Sequence, residues 1–150
     1  MSCLLCGAAS AAHPLCPGCL ADLPWHRQPQ CPSCATPTPA GEVCGTCLKH
    51  PPAFERTHAA LAYRFPIDRL IPRLKYHGQL AIAPTLGACL AQAVEHASRP
   101  DALVPMPLHP MRIRERGFNH ASEINRMLAR QLDLPLDLDS CRRIRDTPPQ

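Results

Sequence analysis

Hydrophobic residues recur at helical spacing in three segments of residues 51–150, the second part of the chain. The segment 67–76 repeats apolar residues every three or four positions, which predicts a helix that Pro72 strains and Gly78 ends. A second helix should begin at Pro84, a residue that suits a first helical turn. A third should follow Asn119, whose side chain is suited to cap it. The predicted stripes are Ile67, Leu70, Ile71 and Leu74; Leu86, Cys89, Leu90, Ala93 and Val94; and Ala121, Ile124, Met127, Leu128 and Leu132.

Three short apolar segments are typical of strands. They span 57–65, 101–106 and 134–138. Pro105 and Pro107 have no N–H group for pairing, so the second segment should end there. The basic stretch 109–119 that follows it is interpreted as a loop. The resulting order β-α-α-β-α-β favours an α/β sheet for this part of the chain.

The first fifty residues carry a different pattern, a duplicated cysteine spacing. Each half reads C-x2-C-x9-C-x2-C, and a shift of 28 residues brings the first half onto the second. Two residues between paired cysteines form a tight turn that aims both sulfurs at one ion, and four thiolates complete a closed tetrahedral site. The spacing leaves open whether each half binds its own zinc or the pairs interleave. The predicted ligands are Cys3, Cys6, Cys16, Cys19, Cys31, Cys34, Cys44 and Cys47.

Two other uses of paired cysteines fit the sequence less well. Disulfides belong to oxidising compartments, and the start of the sequence lacks the basic opening and long apolar core of a signal peptide. A redox C-x-x-C needs a strand–helix context that is missing here. His13, His26 and His50 could each replace a sulfur, although eight cysteines already suffice. We therefore expect two Zn²⁺ as cofactors in a cytoplasmic protein without a membrane span.

Composition divides the chain near residue 52. Eight of the ten cysteines and nine of the nineteen prolines precede residue 53. The formal net charge is +4, but eight thiolates (−8) and two Zn²⁺ (+4) would cancel it, so overall charge gives weak support for a nucleic-acid partner. Fourteen of the 16 Lys and Arg lie in 51–150, so an anion-binding surface is expected there. The predicted domains are a double zinc ribbon over 1–52 and a second domain over 53–150.

Four motifs of the second part resemble those of the ComF competence protein family. Segment 73–78 (RLKYHG) resembles the family motif LKY-x-G, and 104–108 (VPMPL) resembles its PVPL strand end. Segment 114–119 (RERGFN) resembles R-x-RGFN, and 143–150 (RIRDTPPQ) resembles R-x-R-x-T-x-x-Q. The motifs stand in family order behind a zinc ribbon, so the resemblance covers the whole chain. One departure is His120, where the family usually has Gln.

The resemblance implies a double zinc ribbon followed by a type I phosphoribosyltransferase-like domain with a Rossmann-like parallel sheet. It also implies a role in handling single-stranded DNA during natural transformation, with competence and recombination proteins as further partners. The basic segment 109–119 then corresponds to a pyrophosphate-binding loop. The residues expected to bind phosphates or nucleic acid are Lys75, Arg112, Arg114, Arg116, Arg143 and Arg145. Considered alone, these residues also fit a solvated basic loop and tail, and His109 and His120 fit solvated histidines.

The family pattern continues beyond position 150 with an R-x-x-N segment, a strand ending in two acids and a T-T-G phosphate loop. The resemblance is therefore to a C-terminally truncated member, a fragment or a degenerate copy. We expect this chain alone to be inactive as a phosphoribosyltransferase acting on phosphoribosyl pyrophosphate, and no catalytic residue is predicted. That enzyme and a zinc-ribbon adaptor for protein partners are the alternative functions. Segment 54–150 by itself is expected to be only marginally stable.

Overall fold

The computed structural model describes residues 2–11 and 14–147, which form six helices. His13 and the last three residues of the 143–150 motif lie outside these ranges. None of the helices within them has the length and apolar character needed to cross a membrane. The helices are α1 (Pro17–Ala21), α2 (Gly45–Lys49), α3 (Ile67–His77), α4 (Ile82–Ala93), α5 (Pro110–Arg116) and α6 (His120–Leu132).

The three amphipathic helices expected from the hydrophobic pattern are α3, α4 and α6. Helix α3 continues through Pro72 and ends where Gly78 adopts a left-handed conformation with φ of 61°. Helix α4 begins two residues before Pro84. Helix α6 begins after Asn119, whose side chain accepts a hydrogen bond from the Ala121 N–H at 3.0 Å. The predicted cap of α6 is thus confirmed.

The basic segment interpreted as a loop is the helix α5, so that prediction was wrong. The His109 side chain accepts a hydrogen bond from the Met111 N–H at 3.4 Å and caps the first turn. Pro110 occupies the first helical position, and Gly117 ends the helix in a left-handed conformation with φ of 79°. Proline at the start and glycine just after the end are the usual signals of a short helix, and here they outweigh the absence of an apolar stripe.

The segments predicted as strands form single β-bridges in the described residues. Leu61 makes one antiparallel bridge, and Leu103 makes one parallel bridge to Leu136. The Leu103 N–H donates to the Pro135 carbonyl oxygen at 2.8 Å, and the Asp137 N–H donates to the Leu103 carbonyl oxygen at 2.9 Å. Prolines in both segments lack the N–H groups that a longer ladder requires. The described residues therefore contain one parallel bridge, whereas the predicted Rossmann-like sheet is not shown.

Helices α4 and α6 approach each other most closely at Gly87. A Cβ atom at this position would lie 2.8 Å from the carbonyl oxygen of Ile124 and 2.8 Å from the Cβ atom of Met127. Only a residue without a side chain allows this backbone contact without a shift of α6. Gly87 thereby sets the distance between the two helices.

One hydrophobic core joins the first zinc-binding half to α3 and α4. Burial of these apolar side chains stabilises the fold by about 1.5–3 kcal/mol for each large one. The Arg73 guanidinium also donates a hydrogen bond to the Leu4 carbonyl oxygen at 3.3 Å. The buried members of this core are Cys3, Leu15, Leu23, Ile67, Leu70, Leu74, Ile82, Ala83, Leu86 and Cys89.

Candidate zinc sites and a cationic cleft

The eight paired cysteines form two groups, one in each half of the ribbon. Within each group the four sulfur atoms lie within 4.8 Å of one another. The distance from Cys6 Sγ to Cys16 Sγ is 3.7 Å, and that from Cys34 Sγ to Cys44 Sγ is 3.6 Å. A tetrahedral site with Zn–S bonds of about 2.3 Å separates its sulfurs by about 3.8 Å, so each group fits one Zn²⁺. The halves therefore bind separate ions, and the interleaved pairing is excluded.

The backbone of the two halves repeats with the same shift of 28 residues. In each half the first cysteine donates its N–H to the carbonyl oxygen five positions later at 2.8 Å. Helices α1 and α2 begin directly after the third cysteine of their halves. Gly7 and its counterpart Ala35 both have positive φ, of 75° and 60°. The cysteine spacing thus determines the same local path twice, even where alanine replaces glycine.

Hydrogen bonds prepare the sulfurs of each site for a metal ion. The Cys6 N–H and other backbone donors lower the pKa of Cys3 to about 6, and equivalent donors lower the pKa of Cys31 to about 6. The pKa of the last cysteine of each site shifts in the opposite direction. Its thiol donates to neighbouring sulfurs, which raises the pKa of Cys19 and Cys47. A Zn²⁺ ion bound by these cysteines would replace the shared protons and stabilise all four thiolates.

The two halves differ in what covers them. Leu20 in α1 packs against the core, and its carbonyl oxygen accepts a hydrogen bond from the Trp25 indole at 3.3 Å. Its counterpart in α2, Leu48, is 68 % exposed. The first half is therefore part of the main core, whereas α2 presents an uncovered apolar side chain.

A cleft of about 680 Å³ lies where the end of α3, helix α5, the start of α6 and the segment after residue 142 meet. Four of the six residues predicted to bind phosphates line it. Arg114 and Arg145 do not. The described lining residues are Lys75, Tyr76, Met106, Leu108, His109, Arg112, Arg116, His120, Arg143, Asp146 and Thr147.

The geometry of α5 explains which arginines reach the cleft. Arg112 and Arg116 are four residues apart and share one face of the helix. Arg114 lies on another face, where its guanidinium approaches the Met111 sulfur at 4.0 Å. An irregular loop would not have separated these side chains in this way. The wrong loop interpretation thus left the three arginines indistinguishable in the sequence.

The cations of the cleft are not equally available to a ligand. The Arg112 guanidinium lies 2.8 Å from a Glu115 carboxylate oxygen and 3.5 Å from one of Asp146, and the bond to Glu115 raises the pKa of Arg112. Arg116 stacks over the Tyr76 ring with its Cζ atom 4.9 Å from the ring centroid. Within residues 2–11 and 14–147, no ion pair engages Lys75, Arg116 or Arg143. These three charges can meet an anion.

His120, considered a solvated histidine from the sequence, is partly buried in the wall of this cleft. Burial, together with the positive charges of Lys75 and Arg116, lowers the pKa of His120 to about 4. The imidazole is therefore neutral at pH 7. Its position directly after a helix cap and next to the arginine motif was visible in the sequence, but its burial was not.

Comparisons with known proteins agree with the zinc sites and extend along the chain. Residues 1–48 match the double zinc ribbon domain. Competence protein F of Haemophilus influenzae is 32% identical over 144 residues, which cover 91% of this chain and 62% of that protein. The DNA utilization protein YhgH is 34% identical in Escherichia coli K12 and 33% in Salmonella typhimurium, over 80% of this chain and 56% of each relative. No solved structure matches the chain.

Proposed function

We propose that this chain handles single-stranded DNA during DNA uptake. The proposal starts from its similarity to competence protein F and YhgH along most of its length, which agrees with the resemblance of its motifs to the ComF family. The chain spans about three fifths of the length of these relatives. Their complete activity is therefore attributed to this chain only as part of the proposal. We place this activity in the cytosol, where reduced thiols can retain zinc.

The cationic cleft is the observation that carries the proposal. Lys75, Arg116 and Arg143 present charges without an acidic partner among the described residues, and phosphate groups are the matching ligands. Tyr76 is 55% exposed beneath Arg116 and offers a surface on which a base can stack. A flexible single strand can bring both a phosphate and an unpaired base to one cleft, whereas a duplex keeps its bases stacked inside. The geometry thus favours single-stranded over double-stranded DNA.

We further propose that 53–150 is the N-terminal part of a phosphoribosyltransferase-like domain. The parallel bridge between Leu103 and Leu136 supports this assignment, because parallel pairing is the rule in α/β domains. Met106, Leu108 and His109 line the cleft directly after the first of these paired segments. Ligands of open α/β sheets bind at that end of the strands. Phosphoribosyl pyrophosphate is therefore the second candidate ligand for the same residues, including Arg143.

Binding of fluorescent oligo(dT) measured by anisotropy tests the first proposal. Three to four phosphate contacts should give a slope of about −2 to −3 when log K is plotted against log salt concentration. Arg116→Gln should weaken binding about tenfold, since a hydrogen-bonded charge contributes roughly 1.5 kcal/mol. Arg69→Gln is the matched control, because Arg69 is an exposed arginine of α3 that does not line the cleft. Equal losses in both variants would contradict a specific role of the cleft.

Competition separates the two ligands. Phosphoribosyl pyrophosphate with Mg²⁺ should displace oligo(dT) if both occupy the cleft, and Arg116→Gln should then weaken both. Binding of phosphoribosyl pyrophosphate by a protein that does not bind oligo(dT) would favour the second candidate function. If neither oligo(dT) nor phosphoribosyl pyrophosphate binds at low salt, the cleft is not a phosphate-binding site.

The exposed leucine of α2 supports a third function, that of an adaptor for proteins. Leu48 occupies the position at which Leu20 is covered in the first half, so a protein partner could cover it in turn. Leu48→Asp should then prevent binding of such a partner to the whole chain and leave oligo(dT) affinity unchanged. Retention of every partner by this variant would argue against the adaptor function.

A further inference from the structure

We propose that a pocket between the second zinc-binding half and the end of α4, the ribbon pocket, binds phosphates of the same DNA strand that occupies the cationic cleft. The inference rests on the proposed function, since it names a second stretch of the path of single-stranded DNA. The ribbon pocket has a volume of about 590 Å³. Its described lining residues are Trp25, His26, Arg27, Gln28, Gln30, Cys31, Pro32, Arg56, Thr57, His58, Ala59, Ala60, Gln92 and Ala93.

Backbone pairing holds two walls of the ribbon pocket together. Trp25 and Leu61 form an antiparallel bridge, and backbone hydrogen bonds of 2.9 and 2.8 Å lie on its two sides. Arg27 stands two residues after the bridge, and Arg56 stands five residues before it. Because the paired segments run antiparallel, both arginines lie toward the same end of them. The pairing therefore brings one cation from each part of the chain to a single pocket, which the charge of either part alone could not indicate.

The charges of the ribbon pocket are of one sign. Two arginines and two histidines line it, and none of its described lining residues is an aspartate or a glutamate. Arg27 and Arg56 are both exposed, and no ion pair between described residues engages either of them. In the cationic cleft, by contrast, Arg112 is shared between Glu115 and Asp146. Two guanidinium groups without a carboxylate in a concave site are matched by phosphate groups.

The rest of the lining suits the uncharged parts of a nucleotide. The amide groups of Gln28 and Gln92 can donate to and accept from a base or a sugar. The Trp25 indole already donates its N–H to the Leu20 carbonyl oxygen at 3.3 Å, so the ring contributes apolar surface to the pocket. The volume lies within the range of about 300–1,000 Å³ that is usual for pockets that bind small ligands. A nucleotide-sized part of a strand can therefore enter.

The two sites lie toward opposite ends of α4. The cationic cleft includes the last turn of α3, which residues 78–81 join to the start of α4, and the ribbon pocket includes Gln92 and Ala93 at its end. Twelve helical residues span about 18 Å. A stacked strand advances about 3.4 Å per nucleotide, so five or six nucleotides cover roughly that length. An oligonucleotide of 20 thymidines, dT20, is therefore long enough to contact both sites.

Anisotropy titrations with fluorescent dT20 test the ribbon pocket. Arg27→Gln and Arg56→Gln should each weaken binding about tenfold, because each removes a charged hydrogen-bond donor to a phosphate. Each should also make the slope of log K against log salt concentration less negative by about 0.7. Arg56→Lys keeps the charge and should keep the slope. Arg64→Gln is the matched control, since Arg64 is an exposed arginine three residues beyond Leu61 that does not line the pocket. Zinc content and urea unfolding are checked for every variant.

The fluorescence of Trp25 gives a readout that does not depend on affinity. Trp25 is the single tryptophan and lines the ribbon pocket, so saturating dT20 should change its emission. The change should persist at saturation in Arg116→Gln, which alters the cationic cleft, and disappear in the double variant Arg27→Gln/Arg56→Gln. Titration at high protein concentration should give one dT20 strand per chain, because one strand contacts both sites.

Three results would overturn the inference. They are equal affinities of Arg27→Gln, Arg56→Gln and the Arg64→Gln control, an unchanged Trp25 emission at saturating dT20, and binding of two strands per chain. A loss of affinity confined to Arg116→Gln would leave the proposed function in place and remove the ribbon pocket alone. Absence of dT20 binding at low salt would overturn the proposed function together with the inference.

Discussion

The two zinc-binding halves have the same backbone path but different surroundings. In the first half, Cys3 and Leu15 belong to the core that α3 and α4 complete. In the second half, the residues equivalent to Leu15 and Leu20 are Val43, which is partly buried, and Leu48, which is largely exposed. The first half is thus part of the core that it shares with α3 and α4, whereas the second half contributes no residue to that core among those described.

The difference shows what a metal spacing can and cannot specify. A C-x-x-C turn acts over a few residues, so it produces the same sulfur geometry wherever it occurs. Burial depends on side chains that the spacing does not include. The first knuckle carries Leu4 and Leu5, where the second carries Pro32 and Ser33. Duplication therefore preserved the metal site, while the apolar residues around it determined which copy joined the core.

The largest expected effect separates the two metal sites. Cys3→Ser and Cys31→Ser should each reduce the zinc content by one ion per chain. Cys3→Ser should also abolish cooperative unfolding of the main core, because Cys3 is buried within it. Cys31→Ser should leave that transition in place. The fluorescence of Trp25, the single tryptophan, reports on the core, and elemental analysis reports on zinc. Identical unfolding curves for the two variants would remove the distinction between the halves.

Features that depend on neighbouring residues could be predicted from the sequence, whereas features that depend on tertiary packing could not. The zinc ligands, the end of α3 at Gly78 and the cap at Asn119 were predictable, because each depends on neighbouring residues. Helix α5 was not predicted although Pro110 and Gly117 mark its ends, because it lacks the apolar stripe that the three predicted helices share. The burial of His120 could not be predicted, because it depends on side chains from α3 and α5.

Substitutions at equivalent positions of the two halves should give the next largest difference, here in the free energy of unfolding. Leu15 is 2% exposed, so Leu15→Ala should lower the free energy of unfolding by about 2–5 kcal/mol. Val43→Ala, at the matching position of the second half, should cost about 1 kcal/mol or less, because that side chain is only partly buried. Urea unfolding followed by Trp25 fluorescence measures both. Comparable costs would mean that the second half is packed as tightly as the first.

A substitution at the contact between α4 and α6 also tests the difference between the two zinc-binding halves. Gly87→Ala should destabilise the chain by about 1–3 kcal/mol, since the added Cβ meets the α6 backbone at 2.8 Å. The effect should reach the first half through the shared core and leave zinc in the second half unaffected. Zinc release to a chromogenic chelator during urea unfolding follows both ions. Earlier release of both ions in Gly87→Ala would contradict the independence of the second half.

The smallest expected effect concerns the leucines of α1 and α2. Leu20→Ala removes packing against the core and should cost about 1–2 kcal/mol, whereas Leu48→Ala should change stability by no more than about 0.5 kcal/mol. The same urea experiment measures both, and Leu20→Ala serves as the positive control for its sensitivity. A cost above about 1 kcal/mol for Leu48→Ala would show that α2 is covered in solution. A neutral result leaves Leu48 as surface that a partner can cover without first disrupting the fold, because nothing in the core depends on it.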